Sequence, residues 1–330
     1  MSRTSEGERG YGQEDDQLSD HLSGKWVVIA YNPIAGRRPT RQLAEKLANF
    51  LQQEGLKVSV FDNVWQASEI AASIFHSGQL RAFVGVGGDG TIATQVNHTP
   101  PGLPLALLPA GTGNVFAKSV GLPTRPESIA RALISGKKLT LDAGRANGAL
   151  FLNMVSCGFD AAVASAVHEI RLANRRGGHI GYRSYIGPIL GTLRSYCFPP
   201  LEVTVIEPAN RTAPAGSPSD PLTFRVRWVF VCNLPRYGWG IRIAPGASAQ
   251  DGVLDCWMFD RGGFWRGLWY ALWVQLGGRH RRLRDCRHVK GRRFLIRSDA
   301  PVPCQRDGDP AGHLPVEIEV LPRRATIIVP

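Results

Sequence analysis

The residues best suited to chemistry in this sequence lie in three glycine-rich turns and one late acidic turn. The run Gly87-Gly88-Asp89-Gly90-Thr91 follows a short apolar stretch, Arg81–Val86, and leads into a helical one, Thr91–Val96. Glycines between a strand and a helix let backbone N–H groups approach an anion, and the helix start adds partial positive charge. The run lacks the G-K-[ST] of a P-loop and the G-x-G-x-x-G of a dinucleotide loop. Its aspartate repels phosphate unless a divalent cation or a structural hydrogen bond compensates it. Alone, such a turn also reads as an empty strand-to-helix connection. It is not alone, because Leu108-Pro109-Ala110-Gly111-Thr112-Gly113-Asn114 follows the next strand and Asn32-Pro33-Ile34-Ala35-Gly36 ends the first. Neighbouring parallel strands share one C-terminal edge, so all three turns are expected to line a single crevice.

The elements that must hold these turns follow from apolar spacing. Lys25–Tyr31, Lys57–Phe61, Arg81–Val86 and Pro104–Leu108 read as strands; Arg41–Glu54, Ala67–His76 and Thr91–Val96 read as helices between them. That alternation predicts a doubly wound α/β domain. Beyond about Asp142 the rhythm changes. Ala149–Ser156, Leu201–Ile206, Phe224–Cys232, Val253–Asp260, Phe294–Arg297 and Val316–Leu321 read as strands, with helices near Ala161–Ala173 and Phe264–Leu276. The predicted divisions are a disordered tail over 1–23, a nucleotide-binding domain over 24–142, a β-sandwich over 143–320 and a C-terminal return over 321–330. Pro208–Pro221 reads as a loop.

Bulk properties narrow the class. A chain of 330 residues suffices for two domains with sizeable cores. The six cysteines show no C-x-x-C pair and no nearby histidine at zinc-ligand spacing, so reduced thiols are expected. The first residues lack the apolar core of a signal peptide, and no stretch reaches the roughly 18 apolar residues of a membrane span. A cytoplasmic protein that touches a membrane at its surface is the expectation. The net charge of +12 favours anionic partners, either lipid headgroups or nucleic acid.

Taken in order, NPIAG at 32–36, GGDGT at 87–91, LPAGTGN at 108–114, LDAGRANG with Asp142, GFDA at 158–161, APGASAQDGVLD at 244–255 and RDGD at 306–309 resemble the diacylglycerol kinase catalytic domain family. That family includes bacterial soluble lipid kinases and sphingosine kinases. The resemblance implies a nucleotide-binding α/β domain, a β-sandwich lipid domain with ATP between them, and a last strand returning to the first domain. Phosphoryl transfer to an alcohol requires a held γ-phosphate, Mg²⁺ to neutralise charge and a carboxylate to take the hydroxyl proton. The resemblance places that base at Asp307, with Asp309 second; without it, Asp307-Gly308 reads as a hairpin turn. It also makes Asp89 and Asp142 organisers of Mg²⁺ and phosphates, although Asp142 equally reads as a capped turn after Leu139–Leu141. Asn32, Thr91 and Thr112 have side chains able to donate to phosphate oxygens, while Gly87, Gly88, Gly90 and Gly113 offer backbone N–H groups. A separate structural cation is suggested at Asp251-Gly252, with carbonyls by resemblance from Ser248 and Val253; a plain solvent-facing turn is the alternative. The chain departs from the family's pattern at Phe61, Ala93, Thr94 and Val115.

One further stretch stands out. Trp265, Leu268, Trp269, Leu272 and Trp273 fall on one helical face, and nine Arg or Lys follow between Arg279 and Arg297. Tryptophan favours the lipid–water boundary and arginine favours anionic headgroups, so docking on an acidic bilayer is one reading. A buried Trp stripe beside solvated arginines is the other. Two function classes compete with an ATP-dependent lipid kinase: a catalytically weak nucleotide-binding sensor or scaffold of the same fold, and an NAD kinase-like enzyme. Nucleic acid is not expected as a partner, because no recognised binding motif accompanies the charge.

Overall fold

The computed structural model describes residues 24–33, 38–173, 186–209 and 221–330. The expected tail, Ile34 to Gly36 of the first turn, and most of the Pro208–Pro221 loop lie outside the described residues.

Strand and helix alternate through the first part of the chain: β1 (Trp26–Tyr31), α1 (Thr40–Gln53), β2 (Lys57–Phe61), α2 (Val64–His76), β3 (Leu80–Gly87), α3 (Asp89–His98), β4 (Pro104–Pro109), α4 (Val115–Ser119) and α5 (Pro126–Ser135). The apolar runs of β1, β3 and β4 are buried on both faces, as parallel strands covered by helices must be. Alternation along β1 shows why. Val28 and Ala30 pack with Ala67 and Ala71 of α2 and Ile92 of α3, whereas Val27 and Ile29 pack with Leu43 and Leu47 of α1 and Leu133 of α5. The strand order β2-β1-β3-β4 is parallel throughout, which puts the turns after each strand on one edge.

The remainder runs β5 (Lys137–Ala146), β6 (Ala149–Phe151), β7 (Met154–Cys157), α6 (Phe159–Ala173), α7 (Ile186–Ser195), β8 (Leu201–Val205), β9 (Leu222–Val226), β10 (Trp228–Cys232), β11 (Leu254–Phe259), α8 (Phe264–Gln275), β12 (Cys286–Gly291), β13 (Arg293–Arg297), β14 (Pro303–Arg306), β15 (Asp309–His313) and β16 (Val316–Val329). Two sheets face each other here. One has the order β12-β11-β10-β7-β14-β15; the other continues the first sheet through β16, β13, β8 and β9, with β5 and β6 attached. Val155, Val229, Leu254 and Met258 meet Val203, Phe294, Ile296 and Ile318 between them. The outer faces of β10 and β11 are covered as well, by Leu193 of α7 and Tyr270 and Val274 of α8, so both strands are apolar at nearly every position.

The last strand does return to the first sheet: Thr326 and Ile327 pair in parallel with Pro104 and Leu105 of β4. β16 extends well past Leu321, where the sequence pattern ends. A bulge between Leu321 and Ala325, with Arg323 at φ 55°, carries the strand past Pro322-Arg323-Arg324. The half-buried Arg324 guanidinium then donates to the carbonyls of Val96 and Thr99 at the end of α3 (2.8 and 2.7 Å). The boundaries expected after Asp142 and Val320 fall inside β5 and β16, which pair antiparallel along most of their length. Among the described residues no helix is long and apolar enough to cross a membrane.

Candidate active site

The glycine turns after β3 and β4 touch. The Gly87 carbonyl accepts the N–H groups of Ala110 (2.8 Å) and Gly111 (3.3 Å). A Cβ on Gly111 would stand 2.6 Å from Gly88 Cα, and one on Gly88 would stand 3.1 Å from Gly111 Cα, so the two backbones leave no room for a side chain. Asn114 closes the second turn from φ 49°: its Oδ1 accepts from Gly111 N (3.0 Å) and its Nδ2 donates to Gly111 O (2.9 Å). Thr112 and Gly113 are partly exposed in this turn.

Asp89 receives from the second turn the compensation that an acid in a phosphate-type loop requires. Its two oxygens accept from Val115 N (3.0 Å) and Phe116 N (2.8 Å), capping the start of α4. Burial pushes its carboxyl above the ordinary aspartate range, and these N–H groups, with Lys118, pull the other way. The position of Val115, a departure from the family's pattern by side chain, therefore contributes through its backbone.

A cavity of ≈ 280 Å³ opens beside these turns, lined by Asn32, Asp62, Asn63, Val64, Trp65, Gly90, Thr91 and Thr94. Asn32, Gly90 and Thr91 were expected in a crevice. The β2–α2 connection, Asp62 to Trp65, was not, although the shared-edge argument applies to β2 as much as to its neighbours. Asn63 caps α2 by accepting from Trp65 N (2.9 Å) and Gln66 N (3.3 Å). That leaves the Trp65 indole exposed at the rim, where it packs on His98 with ring centroids 3.8 Å apart.

Asp307 sits in the hairpin between β14 and β15. Asp307 (φ 51°) and Gly308 (φ 93°) adopt the left-handed pair of conformations that a two-residue turn demands. The hairpin and the candidate carboxylate are thus compatible in one geometry. Asp307 Oδ2 accepts from Leu152 N (2.8 Å), and Oδ1 accepts from Asn153 N (2.8 Å) and Met154 N (2.9 Å). Burial pushes its carboxyl up to about 6 against those three bonds, and the negative charge of Asp89 adds to the rise. The hairpin abuts the first glycine turn: Asp309 Oδ2 is 3.8 Å from where a Cβ on Gly90 would lie. Behind it, Gln305 accepts Gly308 N (2.7 Å) and donates to Ser156 Oγ (2.8 Å), while Tyr237 (2.8 Å) and Ser156 donate to the half-buried Asp160 of the GFDA motif.

The carboxylates of Asp142 and Asp251 are both engaged by groups of the chain itself. Asp142, 2% exposed, accepts from Gly252 N and Arg323 N at 2.8 Å each, so it ties β5 to the Asp251-Gly252 turn and to the bulge of β16. At the turn where a structural cation was expected, the cation is a lysine. Lys290 Nζ lies 2.9 Å from Asp251 and 3.5 Å from Asp255, and Asp251 also accepts Val253 N (3.3 Å). The Asp251 carboxylate is thus paired within the chain, at the turn that carries Val253. Among the described residues no group of three His, Cys, Asp or Glu is placed to hold a metal.

The diacylglycerol kinase catalytic domain matches residues 25–146, and the YegS C-terminal NAD kinase beta sandwich-like domain matches residues 153–329. A diacylglycerol kinase of Bacillus subtilis is 26% identical over 321 residues, 93% of this chain and 97% of its own. One from Mycobacterium tuberculosis is 27% identical over 326 residues, 95% of this chain and 98% of its own. The solved structure of a diacylglycerol kinase from Bacillus anthracis superposes with a TM-score of 0.63 at 20% identity, over 93% of this chain and 98% of that one, which shows the shared fold.

Proposed function

Because the chain belongs to the diacylglycerol kinase catalytic domain family, whose members are phosphotransferases acting on alcohols, we propose that it transfers the γ-phosphate of ATP to a hydroxyl of a membrane lipid, diacylglycerol-like or sphingoid, with Asp307 as general base. The observation that carries this reading is the Asp307 carboxylate, held by three backbone N–H groups beside the glycine turns and raised to about 6. A base of that pKa is ionised at neutral pH yet still accepts a proton readily from an alcohol as the hydroxyl attacks. The names of the full-length relatives support a diacylglycerol-like acceptor.

The touching turns at Gly88 and Gly111 favour an anion by bringing backbone of both loops to one edge of the sheet, where helix starts add positive potential. Asp89 positions the second loop through α4. A nucleotide-bound Mg²⁺ would neutralise phosphate charge, and Asp89 in the first of these turns and Asp309 beside Gly90 are carboxylates that could hold it. Gly111→Ala is expected to weaken ATP binding at least about tenfold, because the new Cβ collides with Gly88 backbone, and titration calorimetry checks it.

The Trp65 indole, backed by His98, lines the ≈ 280 Å³ cavity at its rim and offers a face for stacking against an adenine. Trp65→Ala is expected to raise KM for ATP about tenfold with kcat within a factor of two, in line with the worth of base–aromatic stacking. An unchanged KM would remove the platform from the site. The reading as a whole is tested by incubating the protein with ATP labelled at the γ-phosphate and a total lipid extract, with NAD as a control acceptor. A labelled lipid that disappears with Asp307→Asn is the expected result. No labelled lipid from the wild type would leave a nucleotide-binding sensor of this fold as the better account.

A further inference from the structure

Helix α8 turns its greasy side to solvent. Its buried positions are Gly267, Tyr270 and Val274. Gly267 lets the helix lie close on Leu193 and the Trp228 ring, where an added Cβ would come within 2.6 and 3.2 Å. Tyr270 packs on Phe259 at 4.5 Å and donates to Asp285 at 2.7 Å. On the other side Trp265 is 79% exposed, Leu272 51%, Trp269 43% and Leu268 39%, with Leu276 at the helix end 47%. Of eight exposed large apolar side chains among the described residues, these five belong to one helix and its cap. Trp273, expected on the same face, is half-buried. A contiguous exposed patch of this kind marks an interaction surface.

The charge around it names the partner. Of the eleven arginines and lysines from Arg261 to Arg297, Arg287, Lys290 and Arg293 pair with Asp260, Asp251 and Glu317, and the acid within the segment is Asp285. That acid is already engaged by Tyr270 and lies 3.6 Å from Arg266. Arg279, Arg281, Arg282 and Arg284 are exposed and form no ion pair among the described residues. A second copy of the chain would bring the same basic ring against itself. A protein partner would need an apolar centre inside an acidic rim. A bilayer carrying acidic phospholipid supplies both at once, with tryptophans at the headgroup level and arginines on the phosphates.

We propose that α8 and the arginines that follow it are the surface by which this protein docks on an anionic membrane. The proposal rests on the lipid-kinase reading for its purpose, while its binding test needs no catalysis. The full chain, without ATP, is sedimented with phosphatidylcholine vesicles with and without phosphatidylglycerol, at low and high salt. Binding is expected with phosphatidylglycerol and is expected to fall steeply with salt. Each surface arginine contributes up to about fivefold to partitioning, so Arg281→Gln/Arg282→Gln should reduce it about 25-fold. Trp265→Ser/Trp269→Ser/Leu272→Ser, which alters only exposed side chains, should reduce it at least about tenfold. Wild-type binding indifferent to anionic lipid and salt, or undiminished binding by both variants, overturns the proposal. So does loss of self-association in the ultracentrifuge with vesicle binding intact, which would make the face a copy-to-copy interface. With acceptor lipid dispersed in detergent micelles, both variants should turn over as the wild type does. Docking by a wild type that labels no lipid would sink the kinase reading and leave the surface standing.

Discussion

Replacing Asp307 by asparagine is expected to lower kcat by about 10²–10⁴-fold, the usual contribution of a general base. Nothing in the ≈ 280 Å³ cavity is altered by the change, so KM for ATP should stay within a factor of about two. The substitution is nearly isosteric. One amide oxygen can keep the bonds from Asn153 and Met154, while the new –NH₂ faces the Leu152 N–H that Asp307 Oδ2 accepted at 2.8 Å. That donor-to-donor contact costs about 1–3 kcal/mol of stability, so turnover is to be compared at a temperature where circular dichroism shows both proteins folded. The wild-type pH profile gives a second reading. The raised carboxyl is protonated below about 6 and then cannot take the hydroxyl proton, so kcat/KM should fall about tenfold per pH unit as pH drops through 6. The residual activity of the asparagine variant should lack that limb. A variant that keeps the wild-type rate and the same acid limb would show that Asp307 merely shapes the hairpin.

The glycine turns were legible because their chemistry is local: each lies within a few residues of the strand that ends it. Shared-edge geometry brought the turns together on paper, and the 2.6 Å approach of Gly111 to Gly88 is its physical form. What compensates Asp89 was not legible, because its partners Val115 and Phe116 are backbone groups 26 and 27 residues away. The same holds for Lys290, 39 residues beyond Asp251, whose ammonium pairs with the carboxylate of that turn. Helical period put Trp265, Leu268, Trp269 and Leu272 on one face. Only Gly267 against Trp228 decides that the opposite face is the buried one. The apolar alternation of β16 stops at Leu321; the bulge at Arg323 and the carbonyls waiting for Arg324 at the end of α3 let the strand run on into the return expected over 321–330. In each case the missing information was a partner distant in sequence.

Asp142→Ala is expected to cost about 2–6 kcal/mol of stability, from two buried N–H groups left without an acceptor at roughly 1–3 kcal/mol each. For a chain of this size that corresponds to a fall in Tm of roughly 3–9 °C. The two donors are Gly252 in the turn before β11 and Arg323 in the bulge of β16, so one carboxylate pins three segments. Resemblance to kinases suggested a catalytic duty for Asp142, and the two roles predict opposite patterns. A tie lowers Tm and leaves kcat nearly intact well below the transition; a catalytic acid leaves Tm alone and collapses kcat. The 2% exposure of Asp142 and the commitment of both oxygens favour the tie. Its loss should nonetheless reach the base indirectly. Asn233 Nδ2 donates to the Asp142 carbonyl (2.9 Å) and to the Leu152 carbonyl (2.8 Å), and Leu152 N is one of the three groups that hold Asp307. Loosening at β5 is therefore expected to appear as a drop of a few-fold in kcat that grows with temperature, ahead of global unfolding. A calorimetric scan paired with turnover at several temperatures separates the two roles.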